Sequence, residues 1–162
     1  MKVSRRVLVT CTMALITGGA LTVSPAASAA PGLQHDAASV HTARAAVTDL
    51  REVVNQLPDQ VDFLKQEDGS GFRIPPNGQW VRSIWIPWVG GDNEMGKSIV
   101  VYRNLRARYW IFQDYWNPTD LIRYSTTNSY HQSLPVPGSS TGGGRKRLTI
   151  RSDGSLFMES TN

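Results

Sequence analysis

The most regular hydrophobic pattern in the chain lies between residues 37 and 57. Its apolar positions are separated alternately by three and four residues: Val40, Ala43, Val47, Leu50, Val54 and Leu57. This spacing forms one apolar stripe along a helix. Asp36 or Ser39 is a suitable N-cap, and Pro58 disfavours helical backbone in the residue before it. The pattern therefore predicts an amphipathic helix over residues 37–57.

From residue 71 onward the apolar period shortens to two, and β-branched and aromatic residues become frequent. Strands are predicted over residues 80–88, 98–103, 108–115, 121–125, 147–150 and 156–159. Pro87 indicates an edge or a bulge, and Asp153-Gly154 is typical of a hairpin turn between the last two strands. One N-terminal amphipathic helix followed by a mostly antiparallel β-sheet or small barrel predicts an α+β fold.

Residues 1–29 have the features of a secretory signal peptide. Lys2, Arg5 and Arg6 are followed by an apolar stretch, and Ala27-Ser28-Ala29 fits an A-x-A cleavage site, so cleavage is expected before Ala30. The arginine pair fits twin-arginine export as well as ordinary Sec export, and both are bacterial routes. We expect a secreted, extracellular protein with no membrane span after cleavage.

The 162-residue chain has 17 basic and 13 acidic residues, a formal net charge of +4. Removing the three basic residues of the leader leaves 14 basic against 13 acidic residues. Such a neutral protein lacks the basic excess expected of a nucleic-acid-binding protein. Residues 30–70 contain seven acidic and three basic residues, whereas residues 71–162 contain six acidic and eleven basic residues. We expect an acidic helical segment, 30–70, and a strand-rich, aromatic-rich part, 71–162, within one domain. A detachable pro-segment and a self-associating helix are the alternatives for residues 30–70.

The single cysteine, Cys11, lies in the predicted leader, so the mature protein is expected to be free of disulfides and of thiol chemistry. The sequence indicates no cofactor. Asp92, Asn93 and Glu94 supply clustered oxygen atoms and are weak candidates for a calcium site, but their spacing does not match an EF-hand.

Aromatic residues are the strongest candidates for function, since ten Trp and Tyr side chains fall between residues 80 and 130. The segment 110–117 combines indoles with Gln, Asp and Asn, the side chains that form paired hydrogen bonds to sugar hydroxyls. The predicted ligand-binding residues are Trp85, Trp88, Trp110, Gln113, Asp114, Tyr115, Trp116 and Asn117. The alternative role for these rings is to fill the core. A non-enzymatic protein with a glycan ligand is the leading hypothesis.

Two further hypotheses belong to other functional classes. The first is a secreted protein-interaction module, inhibitor-like or toxin-like, that presents residues 130–144 and the basic run 145–147 to an extracellular protein. The second is a small secreted hydrolase centred on His131, with Glu94 or Asp114 as its partner and an arginine from residues 103–108. No catalytic spacing supports His131 further, so it is a weak candidate.

Overall fold

The computed structural model describes residues 46–162, and this part of the chain is built from short β-strands. The strands are β1 (Thr48–Asn55), β2 (Val61–Lys65), β3 (Gly71–Ile74), β4 (Gln79–Trp85), β5 (Trp88–Val89), β6 (Ile99–Arg103), β7 (Arg106–Asp114), β8 (Ile122–Ser125), β9 (Leu134–Pro135), β10 (Gly144–Ile150) and β11 (Leu156–Ser160). The helical element in this part is a 3-10 helix, Asp92–Lys97. Within residues 46–162, no helix has the length and apolar character needed to cross a membrane.

The strands form two sheets. The first has the order β11-β10-β1-β4, and the second has the order β3-β2-β6-β7-β8-β9. Strand β5 joins the second sheet beside the end of β7, where Trp88 lies opposite Gln113. Neighbouring strands are antiparallel except in the pairs β1–β10 and β5–β7. The prediction of a mostly antiparallel β-structure is confirmed for the described residues.

The two sheets pack face to face around a shared hydrophobic core. Leu50 and Leu148 enter it from the first sheet, and Phe63 and Ile111 enter it from the second, all of them almost completely buried. Side chains alternate between the two faces of a strand, so Phe112 lies on the opposite face of β7 from Ile111. The fold is therefore a β-sandwich whose second sheet has an additional outer face to cover.

A smaller hydrophobic cluster covers part of that outer face. Met95, from the 3-10 helix, packs there with Val89 and Phe112, and Trp110 and Tyr130 pack against these three. The Phe112 and Tyr130 rings are 5.7 Å apart between centroids. The 3-10 helix and the loop carrying Tyr130 are thus held against the sheet near the end of β7.

The predicted helix over residues 37–57 is wrong where the structure describes it. Residues 37–45 lie outside the described residues, but Thr48–Asn55 forms the strand β1. A bulge between Leu50 and Glu52 shifts the register, so the buried residues Leu50, Val53 and Leu57 are spaced by three and four. This spacing is also that of an amphipathic helix. The pairing of β1 with a strand on each side outweighs the local pattern.

The other strand predictions correspond to observed elements, with different boundaries. The predicted strand 80–88 is two strands, β4 in the first sheet and β5 in the second, because the chain crosses between sheets around Pro87. The predicted strands 98–103, 108–115 and 121–125 correspond to β6, β7 and β8, and the final hairpin is β10 and β11. Strands β2, β3 and β9 were not predicted, and β2 lies within the segment 30–70 that was expected to be helical.

Candidate functional site

The candidate site lies where the chain leaves the second sheet at the end of β7. Gln113 and Asp114 are buried there, whereas the next two residues, Tyr115 and Trp116, are 61% and 70% exposed. The backbone N–H of Trp116 donates to Asp114 Oδ1 over 3.1 Å, which turns the chain away from the sheet. Two large aromatic side chains therefore project from the surface immediately after a buried strand.

The indole of Trp116 is fixed although it is exposed. Its Nε1–H donates to the carbonyl oxygen of Gly90 over 2.8 Å. A Cβ atom on Gly90 would lie 2.9 Å from Nε1, so the absence of a side chain at this position permits the contact. The rings of Tyr115 and Trp116 are perpendicular, with centroids 5.0 Å apart, and Trp88 lies edge-on to Tyr115 at 6.4 Å. We call Trp88, Tyr115 and Trp116 the aromatic platform.

A depression of about 250 Å³ lies beside the platform and is lined by Gly90, Asn93, Glu94, Tyr115 and Trp116. Glu94 Oε1 accepts from Lys97 Nζ at 2.6 Å, and Oε2 accepts from the Gly90 N–H at 2.7 Å. These hydrogen bonds hold the pKa of the Glu94 carboxyl below its ordinary value, with the one from Lys97 contributing most. The depression thus combines two aromatic rings with a carboxylate and an exposed amide.

Gln113 and Asp114 support this end of β7 from the interior. The Gln113 amide Nε2 donates to the Ala46 carbonyl over 2.7 Å, and its Oε1 accepts from the Thr48 N–H over 3.2 Å. Asp114 Oδ1 accepts from the Tyr130 hydroxyl at 2.7 Å. Burial, together with this hydrogen bond, raises the pKa of Tyr130 to about 12. The polar atoms of both residues are therefore directed to protein groups.

The remaining predicted ligand residues lie apart from the depression. Trp85 is 53% exposed and ends β4 in the first sheet, opposite Asp49 of β1. Trp110 is half-buried against the smaller hydrophobic cluster. Asn117 Oδ1 accepts from the N–H and the hydroxyl of Thr119, so it stabilises the turn after the platform. Of the eight predicted residues, the structure brings together Trp88, Tyr115 and Trp116.

The residues proposed for a hydrolase are not brought together. The His131 side chain is 77% exposed, and its Nε2 lies 3.8 Å from Asp92 Oδ2. Asp114 ends β7, whereas Arg106 and Arg108 lie at the other end of this nine-residue strand. Asp92 accepts from the Tyr130 N–H at 2.5 Å, and this hydrogen bond holds the Tyr130 loop against the 3-10 helix.

Within residues 46–162, no three His, Cys, Asp or Glu side chains form a group suited to a metal ion.

The basic run of the protein-interaction hypothesis is divided by the fold. Lys146 is buried, and its Nζ donates to the Thr141 carbonyl and the Ser160 hydroxyl, each at 3.0 Å. Burial lowers the pKa of Lys146. Arg147 pairs with Glu52 at 2.7 Å, which leaves Arg145 as the exposed cation of the three. Residues 145–147 therefore do not form one continuous basic patch.

Two features of the site were missed in the sequence. Gly90, which carries the carbonyl that fixes Trp116, is not among the predicted ligand-binding residues. Asn93 and Glu94 were considered as metal ligands and not as neighbours of an indole. The adjacent glycines at 90 and 91 were the available signal, because glycine is found where another group approaches the backbone closely.

No protein-family model, curated protein or solved structure matches this chain.

Proposed function

We propose that this protein is an exported, non-enzymatic carbohydrate-binding protein whose ligand stacks on Trp116 and Tyr115. The observation that carries the proposal is an indole that is 70% exposed and yet held in place by its hydrogen bond to Gly90. Tyr115 is similarly exposed and packs perpendicular to it. Exposed, ordered aromatic rings of this kind are typical of binding surfaces.

The fixed indole favours binding because its conformational freedom is already restricted in the free protein. Immobilising a flexible side chain on binding costs about 0.5–1.5 kcal/mol. Trp116 avoids much of this cost, since the Nε1 hydrogen bond and the contact with Tyr115 hold the ring before the ligand arrives. The apolar face of a sugar ring can then cover the exposed face of the indole.

Polar groups beside the rings supply the directional part of recognition. Asn93 is exposed and offers both an amide donor and a carbonyl acceptor. The Glu94 carboxylate is an acceptor, and its charge is balanced by Lys97 at 2.6 Å. This combination suits the hydroxyl groups of a neutral sugar, which both donate and accept hydrogen bonds. The predicted leader, residues 1–29, supports a site of action outside the cell.

The test is calorimetric titration of the secreted protein with a panel of soluble neutral polysaccharides, comparing Trp116→Ala with Trp85→Ala. Both substitutions remove an exposed indole, but only Trp116 lines the depression. For a bound polysaccharide we expect Trp116→Ala to raise Kd about 30-fold, equivalent to about 2 kcal/mol for a central aromatic contact. Trp85→Ala should stay within about twofold of the parent protein.

Heat signals do not depend on the deleted indole, so the two variants can be compared directly, and near-ultraviolet circular dichroism checks that each is folded. The proposal is contradicted if no polysaccharide in the panel gives a saturable signal. It is also contradicted if the two tryptophan variants weaken binding equally, because the contact would then not be located at the platform.

A further inference from the structure

A second pocket lies between the two sheets, at the opposite end of β7 from the aromatic platform. Its volume is about 200 Å³. Val61 and Val101 of the second sheet, Ile150 of the first sheet and Leu57 form its apolar walls, and all four belong to the main core. The rim is polar and contains Arg103 and Arg108. The pocket thus joins the edge of the core to two guanidinium groups.

The register of the second sheet explains why both arginines reach this pocket. Arg103 lies opposite Val61, a core residue, so Arg103 occupies an inward-facing position at the end of β6. Val101 pairs with Tyr109 and Tyr102 pairs with Ala107, which leaves Arg108 as the extra residue of a bulge in β7. Regular alternation would put Arg108 on the face opposite Tyr109. A bulge redirects a side chain, and here Arg108 lines the pocket.

The two arginines differ in whether a described carboxylate pairs with the guanidinium group. Arg103 Nε donates to Asp59 Oδ2 at 2.7 Å, and this ion pair fixes its orientation. Within residues 46–162, Arg108 has no carboxylate within ion-pair distance and no side-chain hydrogen bond. Among the described residues, no group therefore competes with a ligand for the Arg108 guanidinium.

The other polar groups of the rim are engaged with the β10–β11 turn. The Tyr109 hydroxyl donates to the Gly154 carbonyl oxygen. Asp153 Oδ1 accepts from the N–H and the hydroxyl of Ser155, at 2.8 and 2.7 Å. Asp153 is an anion on the same rim, so Arg108 and the directed hydrogen bonds of both arginines must outweigh its repulsion of an anionic ligand.

We infer that this pocket binds a small organic carboxylate, with the carboxylate at Arg108 beside Arg103 and a short apolar body against Val61, Val101 and Ile150. Guanidinium groups bind carboxylates through paired, charge-assisted hydrogen bonds. A volume of about 200 Å³ is roughly that of seven water molecules, given about 30 Å³ for each water molecule in the liquid. An aromatic or short aliphatic monocarboxylate has this size.

The test uses benzoate as the probe, titrated into the full secreted protein and followed by the NMR shifts of the valine and isoleucine methyl groups. We expect a saturable shift at Val61, Val101 and Ile150. Arg108→Gln should weaken benzoate binding at least 10-fold, while Arg106→Gln should leave it unchanged. Arg106 is a matched control because it is an exposed arginine at the start of the same strand and does not line the pocket.

Two further probes separate the parts of the ligand. Benzyl alcohol retains the apolar body without the charge, and inorganic phosphate retains an anion without the body; both should bind at least 10-fold more weakly than benzoate. The inference is overturned if benzoate causes no saturable methyl shift. It is also overturned if benzyl alcohol or phosphate binds as well as benzoate, or if the two arginine variants weaken binding equally, which would indicate diffuse charge attraction. Unchanged methyl positions in the unliganded variants verify that the fold is retained.

Discussion

The two ends of β7 carry opposite kinds of surface. At the Asp114 end, the aromatic platform presents wide, exposed rings beside Glu94, whose charge is balanced by Lys97. At the Arg106 end, a small pocket has apolar walls that belong to the core and a rim with two arginines. One strand therefore supports an open aromatic surface at one end and a narrow cationic opening at the other.

This difference teaches how each end would gain its binding energy. The platform offers exposed apolar area that a ligand can cover, and its rings are ordered in advance. The pocket walls are at most 3% exposed, so a ligand there would gain less from burying new area and more from its charged hydrogen bonds. The two ends are thus expected to respond to different ligands and to different substitutions.

The largest expected effect comes from breaking the support beneath the platform. Gln113→Ala removes the amide that satisfies the Ala46 carbonyl and the Thr48 N–H, and leaving buried polar groups unpaired costs about 1–3 kcal/mol each. We expect a loss of about 3 kcal/mol in the free energy of unfolding, measured by urea denaturation. Gln79→Ala, an exposed glutamine of β4, is the control and should change stability by less than about 0.5 kcal/mol. Equal stability of the two variants would show that Gln113 does not anchor this end of β7.

A smaller effect is expected when the platform is disturbed without loss of the fold. The methyl group of Gly90→Ala would meet the indole Nε1 of Trp116, and so displace the ring from its fixed position. We expect polysaccharide binding to weaken about 10-fold, and benzoate binding to be unaffected, in calorimetric titrations. Gly96→Ala is the matched control, because a Cβ at Gly96 meets no atom within 4 Å. Unchanged polysaccharide binding by Gly90→Ala would mean that the position of the indole is not important.

The smallest effect concerns one tyrosine at each end of β7. Burial and the hydrogen bond to Asp114 raise the pKa of Tyr130 to about 12, and burial also raises the pKa of Tyr109, although Arg108 and Arg103 oppose that increase. A tyrosine ionises near pH 10 in the unfolded chain, so the stability associated with Tyr130 is present below pH 10 and is lost as the pH rises toward 12. In Tyr130→Phe, the free energy of unfolding should therefore decrease less between about pH 10 and pH 12 than in the parent protein.

Absorbance titration at alkaline pH measures the two phenols separately when combined with single Tyr→Phe variants. Asp114→Asn should lower the pKa of Tyr130 and leave that of Tyr109 unchanged, because Asp114 contacts only the first of these two phenols. If both pKa values moved together, the two ends of β7 would be electrostatically coupled and the comparison between them would fail.

Local sequence signals predict many of the strands but not the order in which the strands pair within the two sheets. The Asp153-Gly154 turn and the β-branched run at the end of β10 were sufficient to predict the last hairpin. Residues 48–55 were misassigned because the bulge after Leu50 creates a helical spacing of buried residues. That bulge depends on pairing with β10, a strand about 95 residues later in the chain, and local periodicity contains no such information.

The candidate site was predicted in part for the same reason. The segment 110–117 contains many aromatic and amide side chains, and the exposed rings of Tyr115 and Trp116 lie within it. Whether Gln113 faces a ligand or the interior depends on which side of β7 the start of β1 occupies. The contact between Gly90 and Trp116 likewise joins residues 26 positions apart. These relationships are set by tertiary packing.

The most direct test of two independent sites on β7 is a two-dimensional ¹H–¹⁵N NMR titration that follows the five tryptophan indoles and the arginine side chains together. A bound neutral polysaccharide should shift the indole N–H of Trp116 and leave those of Trp80 and Trp85 in place. Benzoate should shift the side-chain N–H of Arg108 and leave Trp116 unchanged. If neither ligand shifts its assigned group, or if both ligands shift both groups alike, the assignment of separate aromatic and cationic sites to the two ends of β7 is contradicted.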